Sequence, residues 1–261
     1  MNKFALADLF GLSGHVAIIT GSTKGIGLAA ARALAGAGAR VVISSRSQAD
    51  CDQVAAALAQ DGFEAIGIAC DVSDSDALAH LVVRTEAQWG RIDTLVCNAA
   101  VSLHRGPNLE IDDASFDATI AVNVRSIMRL CRLVMPVIAR QGGAVVLMSS
   151  IAGLRGNTAL GTYGLSKAAE MALARNLALE WGPSAIRVNA IAPGLIKTDF
   201  AKALWQDPEV ERAKASANPL RRLGTVEDIA GVVLMLASAA GAYINGQTIV
   251  VDGGTMIAGP H

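Results

Sequence analysis

The amino-acid sequence predicts an α/β fold: a Rossmann-like doubly wound parallel β-sheet with helices on both faces. Three observations carry that prediction. Short apolar runs alternate with helix-period segments from one end of the chain to the other, as in sheets built from strand–helix–strand units. A glycine-rich turn joins the first apolar run to an Ala-rich helix. Tyr163 and Lys167, four residues apart, lie one turn from each other on a helix that follows the fifth apolar run. No repeat, low-complexity segment or linker interrupts the chain, so residues 1–261 read as one domain. A chain of this length buries roughly 70% of its unfolded surface, enough for a substantial core.

His15–Thr20 is the first strand, and Gly21-Ser22-Thr23-Lys24-Gly25-Ile26-Gly27 follows it, opening the helix Leu28–Ala37. A strand, a glycine turn and a helix N-terminus form a phosphate cradle: free N–H groups and the helix dipole face the anion. The spacing is G-x-x-x-G-x-G rather than G-x-G-x-x-G, and such turns also occur for structural reasons alone. Its place after the first strand favours a dinucleotide. Arg40–Ser44 is the second strand, followed by Ser45 and Arg46. An acid at this point would bind a free ribose 2′-hydroxyl. None is present. Ser45 can donate a hydrogen bond, Arg46 can pair with a 2′-phosphate, and Lys24 can approach it, which favours NADP(H). The alternative is a solvated loop arginine.

Ser47 caps a helix through Gln60, and Glu64–Cys70 is the third strand, ending in Asp71-Val72. Asp71 can accept from an adenine amino group. It can also cap the next helix, though Ser73 with Asp76 three residues on suits that task better. Asp76–Trp89 is helical and Ile92–Cys97 is the fourth strand. Asn98-Ala99-Ala100 follows, where Asn98 can tie neighbouring strands together and the small residues leave room for a ligand. Asp113–Ala139 reads as one long helix with Asn123 in its middle. A mid-helix amide is either a satisfied core group or a support for the site.

Ala144–Met148 is the fifth strand, leading to Ser149 and Ser150 at the ligand edge of the sheet. Gly161–Trp181 is the helix of Tyr163 and Lys167, with a face of small residues suited to close helix packing. Tyr-x-x-x-Lys occurs by chance in many chains. Here, however, a lysine cation beside a phenol favours the phenolate and makes Tyr163 a credible proton donor and acceptor. Arg187–Ala192 is the sixth strand, then Pro193-Gly194. A long segment at 195–220, with Phe200, Leu204 and Trp205, reads as a substrate lid. Val101, Leu204 and Trp205 hint at an apolar or aromatic substrate, and Leu154 at the pocket wall. Thr225 caps a helix through Ser238, and Thr248–Val251 is the last strand.

Composition narrows the class. Net charge is −1 with no long basic run, which argues against nucleic acid and anionic membrane as partners. Hydrophobic residues make up 52% and charged residues 17%, and the apolar excess reads as surface buried between subunits. Cys51, Cys70, Cys97 and Cys131 show neither metal spacing nor C-x-x-C pairing, which fits a reducing, cytoplasmic setting and no metal. Met1–Asp8 is too short and interrupted for a signal peptide. Ile229–Ile244 falls short of a membrane span, and Ala258–His261 is not a peroxisomal address.

The chain resembles the one-domain short-chain dehydrogenases/reductases over nearly its whole length. The matching pieces are Thr20-Gly21-x-x-x-Gly25-Ile26-Gly27, Asn98-Ala99-Ala100, Asn123, Ser150, Tyr163-x-x-x-Lys167, Pro193-Gly194-x-x-x-Thr198 and Val251-Asp252-Gly253-Gly254. It departs from the family at Cys97-Asn98-Ala99-Ala100, where the usual run is Asn-Asn-Ala-Gly. Ser44-Ser45-Arg46 and Ala192–Thr198 look like the NADPH carbonyl reductase/retinal reductase branch. The resemblance implies an NADP(H)-dependent oxidoreductase that interconverts a ketone or aldehyde with its alcohol. Tyr163 would protonate the carbonyl oxygen and Ser150 would hydrogen-bond it. Lys167 would hold the nicotinamide ribose and lower the Tyr163 pKa, Asn123 would hold a water toward Lys167, and Ile196 and Thr198 would grip the carboxamide. The resemblance also implies a homotetramer built through the Asp113–Ala139 and Gly161–Trp181 helices. Competing expectations are a 3-oxoacyl carrier-protein reductase, an NAD-dependent secondary alcohol dehydrogenase, and a non-catalytic nucleotide-binding scaffold. The last typically lacks the Tyr or Lys kept here.

Overall fold

The computed structural model describes residues 5–258. Met1–Phe4 and Gly259–His261, which bear on the readings of the two chain ends, lie outside the described residues. Seven strands form one sheet: β1 (Val16–Thr20), β2 (Arg40–Ser44), β3 (Ala65–Gly67), β4 (Thr94–Cys97), β5 (Gly143–Met148), β6 (Ile186–Pro193) and β7 (Thr248–Val251). All neighbours are parallel, in the order β3-β2-β1-β4-β5-β6-β7. The helices are α1 (Leu6–Phe10), α2 (Gly25–Gly36), α3 (Gln48–Gln60), α4 (Ser75–Trp89), α5 (Asp113–Ile120), α6 (Ser126–Ile138), α7 (Gly161–Trp181), α8 (Pro208–Ala217) and α9 (Val226–Ala237).

The strands are apolar throughout because both faces are covered. Alternate residues serve opposite layers. Ala17, Ile19, Val41 and Ile43 pack against α2, α3 and α9, while Ile18, Val42, Leu95 and Val145 pack against α4, α6 and α7. Burying one such Ile or Val contributes roughly 1.5–3 kcal/mol, so this alternation locks the register. From β1 the chain winds outward through β2 to β3. It then returns to lay β4 on the other side of β1. The switch opens a crevice at the C-terminal strand ends, where ligands bind in such sheets. Thr20 pairs with Ser44, Cys97 with Leu147 and Met148 with Ile191, so the turns after these strands emerge along one edge.

Four local expectations change. The third strand is only Ala65–Gly67; beyond it, single bonds from Ile68 and Cys70 to the Ile43 and Ser45 carbonyls replace the ladder. Asp74, not Ser73, caps α4: its Oδ1 accepts from Asp76 N at 2.8 Å, while Ser73 is drawn to Asp71. The long helix is broken between α5 and α6 by one wide π turn, Ala121–Arg125, centred on Asn123. The 195–220 segment is not loop throughout. It holds a helical turn, Asp199–Leu204, and α8. By contrast, Ser47 caps α3 and Thr225 caps α9, with Asp228 completing a capping box.

Candidate active site

The glycine turn lies at the end of β1. Gly21 and Gly25 have φ of +65° and +58°, a region that disfavours side chains. A Cβ on Gly27 would sit 2.6 Å from Asn98 Nδ2 and closer still to the Gly21 carbonyl oxygen. The turn is therefore wound tightly against β4 and presents backbone rather than side chains. No side chain caps the α2 N-terminus, so its N–H groups remain available to an anion. The Ser22 hydroxyl points inward, donating to the Ile19 carbonyl at 2.7 Å and accepting from Ser44 N at 2.9 Å. Asn98 knits the crevice floor: Nδ2 donates to the carbonyls of Thr20 and Gly21 at 3.0 Å each, and its backbone N donates to Thr20 Oγ1.

At the end of the crevice beside β2 lie Lys24, Ser45, Arg46, Asp71 and Val72. Arg46 is exposed and enters no ion pair among the described residues. Lys24 is shared with Asp199 at 3.8 Å, an exposed pair that holds it weakly. Hydrogen bonds from the Ser73 N–H and hydroxyl hold the Asp71 carboxyl below its ordinary pKa, and the nearby Arg46 charge adds to this.

The opposite end of the same cleft, about 1150 Å³ in all, holds Ser150, Tyr163 and Lys167. Two glycines bring α7 onto the turn that follows Ser150. A Cβ on Gly153 would lie 2.6 Å from Ala168 N, and one on Gly164 would lie 2.7 Å from the Ala152 carbonyl oxygen. The Ser149 hydroxyl donates to the Lys167 carbonyl at 2.8 Å, fastening β5 to α7. Asn123 lies beneath. It accepts from Val101 N and donates to Val101 O and Ser166 Oγ, all at 2.9 Å. Both amide hydrogens are thus used, and only one Oδ1 lone pair remains for a water. Asn123 thus ties the loop after β4 to α7 as a satisfied buried polar group.

Lys167 has two buried hydrogen-bond partners. Its side chain is 2% exposed, and its Nζ donates to the Met148 carbonyl at 2.8 Å and to Glu170 Oε1 at 2.7 Å. It lies 5.4 Å from the Tyr163 ring centre. The Tyr163 pKa is not lowered. Burial pushes it above the ordinary value, and the pull of Lys167 is countered by the Glu170 carboxylate, with Ser150 favouring the phenolate.

Phe200 of the 195–220 segment stacks obliquely on Tyr163, with ring centres 6.1 Å apart, and Leu204 joins it at the cleft. Trp205 turns away from the cleft: its Nε1 donates to the Thr198 carbonyl at 3.1 Å and Lys197 lies over its ring. Leu154 likewise faces solvent, and Leu160 takes its place at the wall. Pro193, Gly194, Ile196 and Thr198 line the cleft beside β6.

A family model described as "Enoyl-(Acyl carrier protein) reductase" matches residues 21–256. Human "Dehydrogenase/reductase SDR family member 4" is 42% identical over 245 residues, covering 94% of this chain and 88% of that protein. The chain belongs to the short-chain dehydrogenase/reductase family. Human "Dehydrogenase/reductase SDR family member 2, mitochondrial" is 41% identical over 242 residues, covering 93% and 86%. Among solved structures, a gluconate 5-dehydrogenase from Burkholderia cenocepacia in complex with NADP and tartrate superposes with a TM-score of 0.92. It is 32% identical, and 98% of this chain and 100% of that chain are covered. The protein is thus an oxidoreductase enzyme on a Rossmann-like fold that uses a nicotinamide cofactor.

The glycine cradle fits that cofactor: it would fill with side chains were Gly21, Gly25 or Gly27 replaced. Within this short-chain dehydrogenase/reductase, the change to Cys97 and Ala100 is accommodated. Cys97 is a buried thiol at the end of β4 and Ala100 lines the cleft. Three features escaped the sequence reading. Glu170 beside Lys167 looks like an ordinary helical acid. Arg105 and Arg155 line the outer cleft from two separate loops. The Phe200–Tyr163 contact joins residues 37 positions apart. An i,i+3 Lys–Glu spacing was the one available signal, and it pointed to Glu170 alone.

Proposed function

We propose that the enzyme is an NADPH-preferring carbonyl reductase/alcohol dehydrogenase acting on a small, largely apolar ketone or aldehyde. A single continuous cleft carries this reading. It is lined continuously from Arg46 and the glycine turn to Ser150, Tyr163 and Lys167, so a phosphate cradle and a proton donor open into the same space. The cofactor supplies hydride chemistry when bound. Gly21–Gly27 and Thr198 would hold it, with Arg46 and Lys24 at the 2′-phosphate, Asp71 and Val72 at the base, and Asn98, Ala99 and Ala100 along its path. Ser150 orients the carbonyl oxygen and stabilises its developing charge. Tyr163 donates its phenolic proton to that oxygen. Phe200 and Leu204 cover the reacting centre as a lid and exclude water.

A second substrate class is favoured by one observation. Arg105 and Arg155 lie on the cleft wall and enter no ion pair among the described residues. They suit a substrate with a carboxylate or a phosphorylated carrier, which includes the 3-oxoacyl carrier-protein reductase reading. Initial rates with NADPH against a neutral aromatic ketone, a keto acid and acetoacetyl-CoA separate the classes. Turnover of none of them would remove the reductase reading.

We further propose a homotetramer, supported by exposed Phe116, Met128 and Leu133 on α5–α6 and Leu165 and Leu179 on α7. Four buried free thiols support a cytoplasmic setting. No helix of the described residues is long and apolar enough to cross a membrane. Light scattering at micromolar concentration that gives a monomer mass would refute the tetramer.

A further inference from the structure

We propose that Glu170 is a positioning residue that fixes where Lys167 points and how much of its charge Tyr163 feels. The proposal rests on the assignment of Lys167 and Tyr163 made above. Glu170 follows Lys167 by three positions and so shares its helix face. Both side chains are almost wholly buried, 2% and 1% exposed, and joined at 2.7 Å. The Met148 carbonyl holds the same ammonium from the β5 side at 2.8 Å. Lys167 lines the cleft, and its ammonium is drawn along α7 and back toward the sheet. Glu170 Oε2 has no hydrogen-bond partner among the described residues. A buried carboxylate half satisfied in this way is costly, and an apolar residue would fill the volume without that cost. A structural role alone does not account for it.

The electrostatic consequence follows from charge addition. A lone Lys167 cation 5.4 Å from the Tyr163 ring would strongly favour the phenolate. With Glu170 ionised, the pair sums to zero and Tyr163 faces only a dipole. Burial lifts the Glu170 pKa to about 7 against the pull of Lys167, so the carboxylate gains and loses its proton near neutrality. As pH falls through that value, Glu170 becomes neutral, the Lys167 charge is unmasked and its anionic tether is lost. As pH rises, the tether returns and phenolate formation is held back. The other titratable groups near the pair are free thiols: Cys97 of β4, whose pKa is raised well above the ordinary value by its hydrogen bond with Cys131 and by burial, and Cys131 of α6 itself. Asn123 of the π turn and Ser166 of α7, hydrogen-bonded to each other at 2.9 Å, carry no charge. Lys167 is the one opposite charge that acts on Glu170.

The test uses the phenolate ultraviolet difference spectrum of the full chain without cofactor. The chain has two tyrosines, and Tyr243 is fully exposed, so it serves as an internal reference. Glu170→Gln should move the Tyr163 transition to lower pH by about one unit or more, with Tyr243 unmoved. It should also tighten NADPH binding severalfold by freeing Lys167. Should Glu170→Gln fail to fold, Glu170→Asp keeps the charge and Glu170→Met fills the space without it. Glu170→Asp must then titrate like wild type and Glu170→Met low. A Tyr163 transition that stays in place in the uncharged variants overturns the proposal. Because that titration needs no cofactor, failure of the wild type to bind NADPH would count against the functional reading and leave the Glu170 result interpretable.

Discussion

Replacing Arg46 tests the cofactor assignment most directly. Arg46 stands at the end of β2, exposed, beside Ser45 and near Asp71, with no carboxylate pairing it among the described residues. A charge-assisted bond from its guanidinium to a 2′-phosphate contributes about 1.5–3 kcal/mol. At about 1.4 kcal/mol per decade, this gives roughly a ten- to hundred-fold preference for NADPH over NADH. Arg46→Asp removes that bond and adds a repulsion of about 1–4 kcal/mol at contact distance, the lower end applying at so exposed a position. It also offers the free ribose hydroxyls of NADH an acceptor. Together these shift the preference by about a hundred- to a thousand-fold toward NADH. Lys24 is partly occupied by Asp199, so Lys24→Ala should weaken NADPH binding less than Arg46→Ala. The assay is kcat/KM for both cofactors in wild type and variant. A wild type that prefers NADH, or a variant whose preference does not move, would show that Arg46 is only a solvated loop residue.

Further outcomes follow from other residues. Tyr163→Phe should keep NADPH affinity but lose about 10²–10⁴ in turnover, and near-normal turnover would end the proposed proton transfer. Gly27→Ala drives a methyl group into the Gly21 carbonyl and Asn98, so fluorescence titration should show NADPH binding weakened about tenfold or more. Asp93 is buried, accepting from Val16 N at 2.8 Å and Arg91 Nε at 2.9 Å. Asp93→Ala should therefore cost about 2–3 kcal/mol in urea unfolding, and an unchanged midpoint would refute this. Glu170 titrates near 7 in the folded chain, above its ordinary 4.5, so the stability it contributes is full below about pH 4.5 and is lost as pH rises toward 7. The Tm difference between wild type and Glu170→Gln should fall across that window, and parallel Tm curves would count against it. Asp228 has the opposite sign: Arg222 and the Thr225 N–H hold its pKa at about 2, so its contribution is present above about pH 4 and lost as pH drops toward 2.

What the sequence determined by itself was whatever is written in short covalent spacing. Apolar runs long enough for strands and three-to-four-residue periodicity for helices set the order of elements. Gly21, Gly25 and Gly27 marked the turn because backbone geometry there tolerates little else, and Tyr163 and Lys167 share a face because helices have 3.6 residues per turn. Ser47 and Thr225 were legible as caps for the same local reason. Tertiary structure decided which partner each polar group takes. Asp71 drew in Ser73 and left Asp74 to cap α4. Asn123 opened a π turn because its amide serves Val101 and Ser166, one 22 and the other 43 residues away. Phe200 rather than Trp205 reached Tyr163, since the indole N–H found the Thr198 carbonyl first. Lys167 turned toward Glu170 and the Met148 carbonyl because a buried ammonium needs acceptors on every side, and only the packed neighbours determine where those lie.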